Sequence, residues 1–209
     1  MKSFFKISSF ITISLLSGCG LLKSEYEPIR YYRLMAPAPA NRSAVLPGTL
    51  MVRTFYTNAQ YDSDDIFTTA GGAIVGPYEY HKWVSATPEL VTDFIINRLS
   101  SQTLFANGVV PSGSASSADY ILEGKVIDML AETDERGTNV AHLQMQVSLI
   151  RFRAGNAENS LLMQKRYDKR IQRANATIPS IAEAMSQAMA EITDEMAGDI
   201  ATAIRSGGR

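Results

Sequence analysis

Cysteine occurs once in this sequence, at position 19, and histidine twice, at positions 81 and 142. A lone cysteine closes no internal disulfide, so stability in an oxidising compartment has to come from the core. Two isolated histidines give no zinc-ligand spacing such as His-Glu-x-x-His, and the chain has neither a Gly-x-Ser-x-Gly elbow nor a Walker loop. Beyond Cys19 there is no run of the roughly 20 apolar residues that a membrane-spanning helix needs. A basic excess is missing too: 20 Lys and Arg face 21 Asp and Glu. Lys2 and Lys6 precede Cys19, so the part after it is mildly acidic, which argues against a nucleic-acid surface.

What the chain does have begins at its N-terminus. Met1-Lys2-Ser3-Phe4-Phe5-Lys6 is a short basic stretch, and Ile7 to Leu16 is apolar with Ser and Thr mixed in. That is signal-peptide length. Leu16-Ser17-Gly18 then leads into Cys19, the pattern of a bacterial lipobox, in which cleavage exposes a cysteine already carrying diacylglycerol. Thiolate alkylation requires cysteine, and small residues before it let the chain enter the peptidase in extended form. The alternative is a buried free cysteine behind a signal cut elsewhere. With each buried methylene worth roughly 0.8 kcal/mol, three acyl chains on Cys19 would anchor the protein essentially permanently. Gly20, not Asp, follows the cysteine, which by the sorting rule of enteric-type bacteria favours the outer membrane.

The expected organisation is a signal peptide over 1–18, a lipidated tether over 19–28, one domain over 29–205 and a short tail over 206–209. Short strands are expected at Tyr31–Leu34, Leu50–Tyr56, Ile66–Thr69 and Tyr78–Val84, the last two joined through Gly71-Gly72 and Gly76-Pro77. Thr87-Pro88-Glu89 opens a helix, with Thr87 as N-cap, that runs to about Phe105. Three long strands follow, at about Ala118–Ala131, Asn139–Arg153 and Leu161–Ile171. In the middle one Ala141, Leu143, Met145, Val147 and Leu149 alternate with polar residues. A final helix carries Ile178, Ile181, Met185, Met189, Ile192, Met196, Ile200 and Ile204 at helical spacing, opened by Pro179 and Ser180 with Glu183 completing a capping box. Its methionines suit core filling better than a pliable binding groove. The fold class is α+β: a largely antiparallel sheet with two helices packed on one face.

Candidate sites are sparse. Exposed or hydrogen-bonded side chains are expected for His81 and His142. Asp62, Asp64 and Asp65 lack the loop pattern and closing Glu of a calcium site and read as a solvated turn. Tyr78, Tyr80 and Trp83 form an aromatic stripe suited either to contact with lipid or a partner or to packing. No metal site and no cofactor other than the covalent lipid are expected.

The lipobox, Tyr31-Tyr32-x-Leu34 shortly after it, the aromatic segment ending in Trp83, Ala118-Asp119-Tyr120-x-Leu122 and the Ala-rich last helix together resemble the ABC-type transport auxiliary lipoproteins. That family includes the lipoprotein subunit of paraquat-inducible and related MCE transport systems. The resemblance covers Cys19 to about Ile204; the segment Tyr56 to Gly76 departs from its pattern. It implies a non-enzymatic, periplasm-facing lipoprotein of the outer membrane. Its partners would be an MCE-domain protein and ABC transporter components that move lipid between membranes, and a homo-oligomer is compatible with such a partner. The implied fold is similar to the N-terminal domain of the Tol translocation protein. Competing readings are another envelope-assembly lipoprotein, of the lipopolysaccharide-delivery type, and a periplasmic hydrolase, for which nucleophile, base and orienter cannot be found together.

Overall fold

The computed structural model describes residues 27–35, 37–39, 45–69, 74–133, 136–152 and 159–207. The elements in chain order are β1 (Arg30–Tyr32), β2 (Leu50–Val52), β3 (Tyr56–Thr57), a 3-10 turn (Ala59–Tyr61), β4 (Asp65–Thr69), β5 (Val75–Trp83), α1 (Thr87–Ser101), β6 (Val109–Pro111), β7 (Tyr120–Thr133), β8 (Asn139–Arg151), β9 (Ser160–Gln172) and α2 (Ile178–Ser206). The architecture is α+β: among the described residues, one sheet of nine strands with two helices.

Strand β7 organises the sheet. Antiparallel β8 occupies one of its edges from Tyr120 to Thr133 and is followed by antiparallel β9. Along the other edge three short strands pair parallel to β7 in succession: β2 at Tyr120–Leu122, β3 at Lys125–Val126 and β4 at Leu130–Glu132. Beyond β4 lie antiparallel β5 and then parallel β1, and beyond β2 lies parallel β6. The antiparallel expectation thus describes the long strands, while most of the short ones pair parallel.

A bulge between Val126 and Asp128 keeps β7 in register with both surfaces. Before it Leu122 and Val126 are buried on the helix side; after it the odd positions Met129 and Ala131 take over that face. One inserted residue switches the parity of every residue beyond it. Gly124 faces the same side because Phe55 lies on it: an added Cβ would collide with the Phe55 ring and sit 2.7 Å from the Gln146 carbonyl oxygen.

Both helices contribute to a single core. On β8, Ala141, Leu143, Met145, Val147 and Leu149 are fully buried, and from α2 so are Ile181, Met185, Met189, Ile192, Met196 and Ile200. The three methionines are core filler. From α1, Val91, Ile95 and Leu99 join the same cluster. On the opposite face of the sheet Tyr61, Phe67 and Leu130 form a small satellite cluster.

Several local expectations are corrected. The expected strand Leu50–Tyr56 is broken between Val52 and Tyr56, because the Phe55 N–H turns to the Thr92 hydroxyl of α1 at 2.9 Å instead of joining a ladder. Helix α1 stops at Ser101, and Thr103, at φ 51°, reverses the chain. Leu104 and Phe105 are buried, but from this turn, where Phe105 bridges to Leu46. The N-cap is Ala86, with Thr87 already helical and its N–H donating to the Ser63 carbonyl. The capping box does not form: Ser180 lies inside α2, which is capped at Thr177, and its hydroxyl bonds to the Asn175 and Thr177 carbonyls. The glycine pair at 71 and 72 lies outside the described residues.

Candidate functional site

The lipobox Leu16, Ser17, Gly18 and Cys19 lies outside the described residues. No helix among the described residues is long and apolar enough to cross a membrane.

The aromatic stripe is divided by burial. Trp83 is buried in the main core at 1% exposure, and its indole N–H has no hydrogen-bond partner among the described residues. Such an orphan costs about 1–3 kcal/mol, which the large apolar area of the ring offsets. Tyr78 and Tyr80 are half-buried, and Tyr78 packs against the core. His81 stands between Tyr32 and Tyr78: Nδ1 is 2.9 Å from the Tyr32 hydroxyl, and the Tyr78 ring meets it edge-on.

His142 occupies a charged cluster on the sheet face away from the helices. Its Nε2 is 3.1 Å from Asp168, its Nδ1 is 3.4 Å from an Arg170 nitrogen and 3.8 Å from Glu132, and Arg170 is ion-paired with Glu132. A neutral ring protonated on Nε2 fits these partners, donating to Asp168 and accepting from Arg170. Hydroxyl or thiol nucleophiles of the serine-protease kind take no part in either histidine cluster among the described residues.

The aspartate turn is occupied by Lys82. Its ammonium pairs with Asp65 and lies 3.6 Å from Asp64, while Ser63 Oγ donates to Asp65 at 2.9 Å. Burial pushes the Asp65 carboxyl up, but the hydrogen bonds from Lys82 and Ser63 outweigh it and hold the group below its ordinary value. Among the described residues no group of three or more His, Cys, Asp or Glu is placed to hold a metal ion.

A concave feature lies elsewhere, over α1. Residues 33–35 and 37–39 form a strap that runs along this helix. It begins where the Val84 N–H bonds to the Tyr32 carbonyl, and its Met35 N–H donates to Ser186 Oγ of α2 at 2.9 Å. Further along, Arg98 Nη1 donates to the Pro37 carbonyl at 2.9 Å. The same guanidinium grips Asp194 of α2 through two bonds of 2.8 and 2.7 Å, and Gln102 adds a third at 2.6 Å. Helix, strap and second helix are thereby tied together at one point.

Between strap and α1 is a groove of about 440 Å³, within the range of small-molecule sites. Leu34, Leu90 and Phe94 give it an apolar floor, Met35 and Val84 an apolar mouth, and Asp93, Asn97 and Ser101 a polar rim. The groove is not visible in the sequence, because Pro37 and Pro39 exclude helix and central strand and leave no periodic pattern to place the strap on α1.

The sequence from residue 32 to 197 matches the family described as the ABC-type transport auxiliary lipoprotein component. This chain belongs to that family, and so is an auxiliary lipoprotein of the cell envelope associated with an ABC-type transport system. A crystal structure of a protein from Xanthomonas campestris is similar in fold, with a TM-score of 0.74 at 14% identity, covering 86% of this chain and 99% of that one. The crystal structure of an uncharacterized protein is similar at a TM-score of 0.64 and 13% identity, covering 83% of this chain and 99% of the other. No curated protein matches the sequence.

Proposed function

We propose that this protein is the outer-membrane-anchored, non-enzymatic accessory component of an intermembrane lipid transport system, held by lipid on Cys19 and working beside an MCE-domain protein and an ABC transporter. The observation that carries the reading is the family match over residues 32–197. Leu16-Ser17-Gly18-Cys19 supplies the anchor, and Gly20 the sorting preference for the outer membrane. The histidine clusters, engaged with Tyr32 and with Asp168 and Arg170, serve as packing and ion-pair elements.

The test is affinity purification of the lipidated chain from envelope extracts, with recovery of an MCE-domain protein expected. A strain lacking the protein is complemented in parallel with Cys19→Ala, His81→Gln and His142→Gln, the glutamines keeping one hydrogen bond each. Both histidine variants should restore barrier function, while Cys19→Ala should neither incorporate radioactive palmitate nor complement. Loss of complementation in a stably folded histidine variant would instead favour an enzyme, and recovery of lipopolysaccharide-delivery proteins alone would favour the other envelope role.

A further inference from the structure

We infer that the groove between the strap and α1 binds a single-chain amphiphile, an alkyl chain bearing an anionic head, with the chain lying along α1 and the head at Arg33.

The walls of the groove decide the class of occupant. An extended peptide gains its affinity from main-chain hydrogen bonds to an open edge, and this strap offers few. Pro37 and Pro39 have no N–H, the Met35 N–H is taken by Ser186 and the Pro37 carbonyl by Arg98. The opposite wall is a helix, whose backbone is bonded internally. An alkyl chain needs no hydrogen bonds along its length and gains by covering apolar surface. Such surface is open at the mouth of the groove, where Met35 is 62% and Val84 54% exposed.

The head follows from charge. Arg98, the other arginine that lines the groove, is committed to Asp194. Arg33, which also lines the groove, donates through Nε to the Met35 thioether at 3.2 Å, a weak acceptor, and has no carboxylate partner among the described residues. It stands next to Val84 and Ser85, at the end from which α1 starts, so the partial positive charge of the helix N-terminus adds to that of the guanidinium. An anion placed there leaves the rest of the groove, towards Arg98 and Ser101, for the chain. This inference is independent of the transporter reading, since either can fail while the other stands.

The test uses the full lipidated protein in phospholipid nanodiscs with a fatty acid carrying a diazirine at its tail. Adducts mapped by mass spectrometry should fall on residues 37–39 and 94–101, the end of the groove away from Arg33. Asn97→Trp fills the groove from an exposed rim position and should cut labelling at least fivefold, whereas Ser100→Trp, exposed on the same helix but outside the groove, should leave it unchanged. Equal melting temperatures of the two variants certify the fold. Arg33→Gln should weaken labelling by the fatty acid but not by its neutral methyl ester. Adducts confined to other surfaces, labelling indifferent to Asn97→Trp, or equal loss in both tryptophan variants would overturn the site.

Discussion

Lys82 and Asp65 illustrate how much a single residue's surroundings control. Hydrogen bonding to Asp65 raises the Lys82 ammonium above its usual value despite partial burial, and the same bond lowers the carboxyl. Because the native carboxyl is more acidic than that of the unfolded chain, its contribution is complete above the unfolded value, near 3.9, and is lost as the pH falls through the native one. Asp65→Asn is expected to lower the melting temperature at pH 7, with the gap to the parent closing as the pH is taken from about 5 to 2. A gap independent of pH would show that the pair contributes through shape and not charge. Burial, reinforced by the hydrogen bond it donates to Asp199 at 2.9 Å, pushes the Tyr167 hydroxyl upward, and it stays neutral over any working range.

At the scale of elements, α2 is the part whose burial follows most directly from its residue pattern. Ile192 is fully buried, while Glu191 beside it is half-buried and accepts a bond from Gln187. Ile192→Asp places an unpaired carboxylate in the core, a cost of several kcal/mol against a typical total of about 5–15 kcal/mol. Glu191→Ala should shift the midpoint little. Similar denaturation midpoints for the two would contradict the packing described.

The long strands and both helices were legible because a period of two or 3.6 repeats many times within each. Strands β3 and β6, of two and three residues, hold too few repeats for any period, and their partners, β7 and β2, lie far away along the chain. The end of α1 was misplaced for a related reason: Leu104 and Phe105 continue the apolar spacing, yet the positive φ of Thr103 delivers them to the core from outside the helix. The candidate groove was illegible because it joins an irregular strap to one helix face. Of the aromatic stripe, the spacing was visible, but which member turns inward depended on how β5 pairs with β1 and β4.

For the molecule as a whole, the edge of β7 that accepts β2, β3 and β4 in series has a consequence for how the chain reaches its final form. Every one of those pairings is parallel and joins residues about 60 to 70 positions apart, and closing such loops costs entropy that local contacts do not. The β7–β8–β9 meander with α2 requires only neighbours in sequence. A chain that emerges N-terminus first therefore presents six strands before the one that templates three of them exists, so order must spread backwards, from the C-terminal half towards the N-terminus. Pulse-labelled hydrogen exchange during refolding should accordingly protect the amides of Leu143 and Leu149 before those of Leu50 and Val52. The reverse order would mean that the N-terminal strands assemble without their template.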